Sequence, residues 1–265
     1  MSEIEGPAGL FELNGMNALV TGAGGGIGMA LCRGFAALGA NVACLDINAA
    51  TARSAVKAVE QYGSEGIPVV CDVTEPDQVK QCVQATIEQF GHLDILVNLA
   101  GRGSLKSATE VSLEEWDHIM NVFLRSTFLF CQAVGKHMIQ RGSGSIINIS
   151  SIASLVALGR GVAPYSAAKA GINALTRELA VEWARKGVRV NAIAPCRILT
   201  TPLQDQLDDP ATDAEALMAS WTDNIPIGRL GKPEEIVGPV IFLASSASSL
   251  VTGHILTVDG GYTIA

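Results

Sequence analysis

The chain has 265 residues, 48% hydrophobic and 17% charged, with a net charge of −8; that is long enough for one α/β domain with a substantial core. Its acidic and basic residues are scattered, which excludes a nucleic-acid surface. No apolar run reaches the roughly 18–20 residues of a membrane span, and the acidic opening Met1-Ser2-Glu3-Ile4-Glu5 is wrong for a secretory signal. Six cysteines without paired spacing and four histidines without metal-ligand spacing complete the expectation of a cytoplasmic, reduced, metal-independent protein.

Apolar strands alternate with amphipathic helical stretches, the pattern of a parallel sheet covered on both faces. The first strand, Asn17-Ala18-Leu19-Val20-Thr21, runs into Gly22-Ala23-Gly24-Gly25-Gly26-Ile27-Gly28 and a helix over 26–38. In that layout a helix N-terminus receives a pyrophosphate on its free N–H groups. Gly22, Gly25, Gly26, Ile27 and Gly28 are the residues expected against it. The spacing Thr-Gly-x3-Gly-x-Gly differs from the commonest dinucleotide fingerprint. A second strand over 41–46 ends in Asp46, followed by Ile47. An acidic residue at that strand tip accepts hydrogen bonds from the adenosine ribose hydroxyls.

Further strands are expected near 67–71, 93–98, 144–150, 188–193 and 255–258. Helices are expected over 49–62, 75–90, 112–140, 164–185 and 233–244. Pro164 suits the first turn of its helix, and Gly187 stands where that helix must stop. Residues 197–230 hold two prolines before a short helical pattern and one after it, which fits a substrate lid. In a doubly wound sheet the ligand crevice opens at the carboxyl ends of the strands. Asp46, Asp72, Asn98, Ser151 and Pro195 all fall at or just past such ends, so the candidates converge on one rim.

Tyr165 and Lys169 are four residues apart in Pro164-Tyr165-Ser166-Ala167-Ala168-Lys169, and therefore share a helix face. A free tyrosine, with a pKa of about 10, is a poor base at neutral pH. A cation held nearby stabilises the phenolate and brings it closer to efficient proton transfer. Ser151 follows the apolar run 145–149 and presents its hydroxyl at a strand end. The trio reads as a device for moving a proton on and off an alcohol oxygen.

Taken together, these features resemble the classical short-chain dehydrogenases/reductases from about Leu13 to Tyr262. The markers are Thr21-Gly22-x3-Gly26-x-Gly28, Cys71-Asp72-Val73-Thr74, Asn98-Leu99-Ala100-Gly101, Asn121, Ser150-Ser151, Tyr165-x3-Lys169, the run Val190 to Pro195, and Val258-Asp259-Gly260-Gly261. The resemblance implies a single α/β domain, 1–265, with a doubly wound Rossmann sheet of seven parallel strands flanked by helices. It makes Tyr165 the acid/base, Ser151 the carbonyl-oxygen donor, and Lys169 the partner of both the phenol and the nicotinamide ribose. Ser150 and Ser154 are then decoys. Asn121 is implied to kink the long helix and hold a water behind the lysine. Asp72 and Val73 are implied to flank the adenine, although a helix-capping Asp72 fits equally well. Ala100 and Gly101 pass the adenosine ribose, Asn98 braces the sheet beside them, and Pro195, Ile198 and Thr200 meet the nicotinamide. The pattern departs from the family at Leu99, at Cys196 where glycine is usual, and in a Ser151-to-Tyr165 interval one residue longer.

The stretch Ile225 to Glu235 is similar to sugar, polyol and sugar-acid dehydrogenases, and the same text occurs in 3-oxoacyl reductases; a hydroxysteroid remains an alternative. NAD is the expected cofactor, because Asp46 repels a 2′-phosphate and the glycine turn holds no basic residue. A non-catalytic NAD-binding regulator is the rival from another class, expected to lack one of the four catalytic residues. The substrate is expected to carry an anionic group met by Arg160 or Arg197, with Arg102 nearby; the alternative is that these pair with Asp205 or Asp208. Small or apolar residues on several faces of the two long helices predict a homotetramer, with the C-terminal segment as the second interface.

Overall fold

The computed structural model describes Gly6, residues 9–103 and residues 105–265. The acidic opening segment therefore lies outside the described residues. Seven strands form one parallel sheet: β1 Asn17–Thr21, β2 Asn41–Asp46, β3 Gly66–Val70, β4 Ile95–Asn98, β5 Gly144–Ile149, β6 Val188–Pro195 and β7 Ile255–Val258. Their order across the sheet is β3-β2-β1-β4-β5-β6-β7, a doubly wound Rossmann arrangement with its switch point between β1 and β4.

Central strands buried on both faces must be apolar throughout, and β1 is buried at all five positions. Alternate residues then feed two separate cores. Ala18, Val20, Val42, Cys44, Ile95 and Val97 pack on one face, against α1 Gly26–Ala37, α2 Ala49–Glu60 and α9 Glu234–Ala244. Leu19, Ala43, Leu45, Leu96 and Ile146 pack on the other, against α3 Pro76–Phe90, α5 Ser126–Arg141 and α6 Ala163–Trp183. Among the described residues no helix is long and apolar enough to cross a membrane.

Two differences from the expected elements bear on the site. The single helix expected over 112–140 is α4 Leu113–Met120, a π-helical segment Asn121–Arg125, and then α5. The Ser126 N–H reaches back to the Asn121 carbonyl. The Ser126 hydroxyl donates to the released Val122 carbonyl, and Thr127 Oγ1 donates to Phe123 O at 2.7 Å. The lid holds two helices rather than one, α7 Thr201–Leu207 and α8 Ala214–Thr222. Pro202 stands in the first turn of α7, and the Asp213 carboxylate caps α8 by accepting the Ala216 N–H at 3.0 Å.

Candidate active site

A cleft of about 660 Å³ opens along the carboxyl ends of the strands. The glycine turn forms its floor, with Gly22, Gly25, Gly26, Ile27 and Gly28 all in the wall. Gly22 has φ +71°, and a Cβ there would meet the Ala100 Cα at 3.0 Å. A Cβ on Gly28 would fall 2.1 Å from the Gly22 carbonyl oxygen, so the turn closes only with glycine at this position. Gly25 stands at the N-cap of α1 with no side chain to cap it, which leaves the first-turn N–H groups to the cleft. An uncapped helix end behind a backbone free of side chains fits a dinucleotide pyrophosphate.

Thr21 fixes the neighbouring strand end. Its hydroxyl donates to Val97 O and accepts the Leu99 and Ala100 N–H groups at 2.9 and 3.1 Å. Leu99 also packs on the core, so its departure from the family pattern is accommodated, and Ala100 and Gly101 reach the cleft. Asp46 stands at the far end of the floor. One carboxylate oxygen accepts the Gly24 N–H and the other the Asn48 N–H, both at 3.0 Å.

Ser151, Tyr165 and Lys169 stand together in the opposite wall. Ser151 caps a short 3-10 turn, its Oγ accepting the Ala153 N–H at 3.2 Å. The Tyr165 ring packs edge-to-face on Phe123, with centroids 5.1 Å apart and planes at 83°. Lys169 is 4% exposed. Its ammonium donates to the Ile149 carbonyl and lies 4.6 Å from the Phe123 ring centroid. Burial pushes the Tyr165 phenol up, against the Ser151 hydroxyl and the Arg160 charge, which pull it down. Burial pushes Lys169 down to about 7. In the folded chain desolvation is the largest influence on both groups.

Ser150 and Ser154 serve the scaffold. Ser150 Oγ donates to Ser154 Oγ at 3.1 Å, and Ser154 Oγ accepts from Asn173 Nδ2 at 2.7 Å. Asn173 is one turn beyond Lys169 and carries no motif that singles it out. The longer interval from Ser151 is taken up by the loop before α6, anchored where Gly161 O accepts the Lys106 N–H at 2.9 Å.

Pro195, Arg197, Ile198 and Thr200 complete the wall as the chain enters the lid. Among the described residues only glycines have positive φ, so Cys196 takes the place of a glycine without backbone strain. The lid is tied at its neck by the Ile198–Gly231 bridge, with Leu199 N–H donating to Gly231 O at 2.8 Å. Arg160 and Arg102 reach the same cleft. Burial, with Arg160 adding to it, pushes Arg197 down to about 10. Among the described residues neither Arg160 nor Arg197 forms an ion pair, so Asp205 and Asp208 do not neutralise them. Pro202, Leu203, Gln206 and Trp221 also face the cleft from the lid helices.

Ile47, Asp72, Val73 and Asn98 do not line the cleft wall. Ile47, next after Asp46, is 68% exposed. Asp72 closes on Thr74, accepting its N–H at 2.9 Å and its hydroxyl at 2.7 Å, instead of capping α3 or facing the cleft. Val73 packs on the second core. Asn98 is a sheet brace: its Nδ2 donates to Asn148 Oδ1 at 2.9 Å, and Asn148 donates in turn to Thr176 Oγ1 at 2.9 Å. Asn121 opens the π segment, where its main-chain carbonyl accepts the Ser126 N–H.

Residues 22–263 match the sequence model of the family described as enoyl-(acyl carrier protein) reductase. The chain is 42% identical over 256 residues to D-threitol dehydrogenase of Mycolicibacterium smegmatis, covering 96% of this chain and 95% of that one. It is 40% identical over 259 residues to gluconate 5-dehydrogenase of Gluconobacter oxydans, covering 97% and 98%. The crystal structure of a gluconate 5-dehydrogenase from Burkholderia cenocepacia, in complex with NADP and tartrate, superposes with a TM-score of 0.89 at 38% identity, covering 97% of this chain and 98% of that one. Sequence and backbone agree along almost the whole length, and the chain belongs to the short-chain dehydrogenase/reductase family of oxidoreductases.

Proposed function

We propose that this oxidoreductase uses NAD to interconvert a secondary alcohol and a ketone on a sugar, polyol or sugar acid, acting as a homotetramer in the cytoplasm. The observation that carries this reading is one cleft holding Ser151, Tyr165 and Lys169 together with two unpaired arginines. The similarity to enzymes named for threitol and gluconate supports the substrate class.

Tyr165 gives its proton to the carbonyl oxygen during reduction and takes it back during oxidation. Burial keeps the phenol in its protonated form, the form that must donate in the first direction. Ser151 donates to the same oxygen as negative charge develops there. Lys169 holds the ribose side of the cofactor and, when protonated, favours the phenolate. A bound nicotinamide supplies or receives the hydride. Arg197 and Arg160 face the far end of the substrate and bind a carboxylate there.

Asp46 decides the nucleotide. Like charges 4 Å apart repel by about 4 kcal/mol at an effective dielectric near 20, and a 2′-phosphate beside this carboxylate would meet such a penalty. Reduced-cofactor absorbance, followed with D-gluconate, D-threitol and D-glucitol, tests the reading. Turnover with NAD at much higher efficiency than with NADP is expected. Equal efficiency would overturn the nucleotide choice, and silence across the panel would favour a non-catalytic regulator. The assembly is supported by exposed Phe128 on α5, Val181 on α6 and Leu250 and Ile264 near the C-terminus. A monomer in light scattering at micromolar concentration would contradict it.

A further inference from the structure

The lid helix α8 carries Trp221 into the cleft, where the Arg197 guanidinium lies with its Cζ 4.9 Å from the indole ring centroid. Arg197 Nη1 is shielded from solvent and has no hydrogen-bond partner among the described residues. A buried N–H donor without an acceptor is costly, and a guanidinium presents its donors as a planar fork suited to a carboxylate. An aromatic face against that plane fixes its tilt and takes none of its donors.

The backbone of Arg197 is held independently of the side chain, its carbonyl accepting the Gly231 N–H at 3.1 Å at the lid neck. The guanidinium itself lies over the Trp221 ring. Neither α7 nor α8 has a fully buried residue, so the position of the lid and the direction of the guanidinium are linked through this contact. Arg160 approaches the same guanidinium from the loop before α6, and the two like charges favour a shared anion between them.

We propose that Trp221 is a positioning residue for substrate specificity: stacked on Arg197, it holds the guanidinium to receive the substrate carboxylate and so sets the preference for a sugar acid over the neutral polyol. This rests on the anionic-substrate reading given above.

The test is calorimetric binding of D-gluconate and of D-glucitol to the NADH-loaded enzyme, in which neither compound can be oxidised. The wild type should prefer gluconate. Trp221→Ala should weaken gluconate roughly 3- to 30-fold, the span of a cation–π contact, while glucitol stays within about twofold. Trp221→Phe should recover most of the loss, and NADH affinity should not move in either variant. Equal weakening of gluconate and glucitol in Trp221→Ala would overturn the proposal, because it would mark a general packing role. If Arg197→Ala removes the preference and neither Trp221 variant changes it, the carboxylate reading stands and the role of Trp221 falls. Absence of any preference in the wild type would overturn both.

Discussion

The two long walls of the cleft are held by different means. Ser151, Tyr165 and Lys169 stand on a strand end and on a helix packed against the sheet, and Phe123, Ile149 and the Ser150–Ser154–Asn173 chain enclose them. The facing wall comes from α7 and α8, which have no fully buried residue and are tied down at the Ile198–Gly231 neck. Proton transfer needs groups fixed and desolvated to a fraction of an ångström, which only an element set in the core can provide. Recognition of the rest of the substrate tolerates a wall of low local stability that can open and close. One wall is thus rigid and chemical, and the other adjustable and selective.

The largest effect expected from breaking the rigid wall is Tyr165→Phe. The ring still packs on Phe123, but the proton is gone, so kcat should fall about 10²- to 10⁴-fold while NADH affinity stays nearly unchanged. Cofactor titration beside initial rates checks this. A rate within tenfold of wild type would assign the acid/base role to another group.

Lys169→Met gives a smaller effect, in stability and of opposite sign. Lys169 has a pKa of about 7 in the folded chain, against about 10.4 in the unfolded one. Burying this lysine therefore costs stability in full below pH 7, and that cost fades as pH rises toward 10.4. The variant should lose activity, yet its Tm should gain more over wild type at pH 6.5 than at pH 9.5. A gain independent of pH would show that the buried ammonium is fully compensated.

How far each wall could be read from the sequence follows the same division. Buried parallel strands are apolar runs ending at turns, so all seven were legible to within about two residues. The glycine turn was legible because Gly28 and Gly22 leave no room for a side chain. The π segment was not, since Ser126 and Thr127 hydroxyls reaching back to carbonyls look in sequence like ordinary helical residues. Asp72 shows a further limit: a residue can be placed at a strand end, but the direction of its side chain depends on neighbours such as Thr74. On the lid side a short helical pattern was legible, whereas Trp221 has no spacing that ties it to Arg197.

The separation of chemistry from recognition is tested most directly by measuring kcat and D-gluconate affinity in Tyr165→Phe and Arg197→Ala side by side. The account predicts that Tyr165→Phe loses kcat and keeps its gluconate affinity, and that Arg197→Ala loses affinity by about 10-fold or more with kcat at saturation within a few-fold of wild type. If both variants moved the same parameter, or Arg197→Ala left gluconate affinity intact, the two walls would not divide the work in this way.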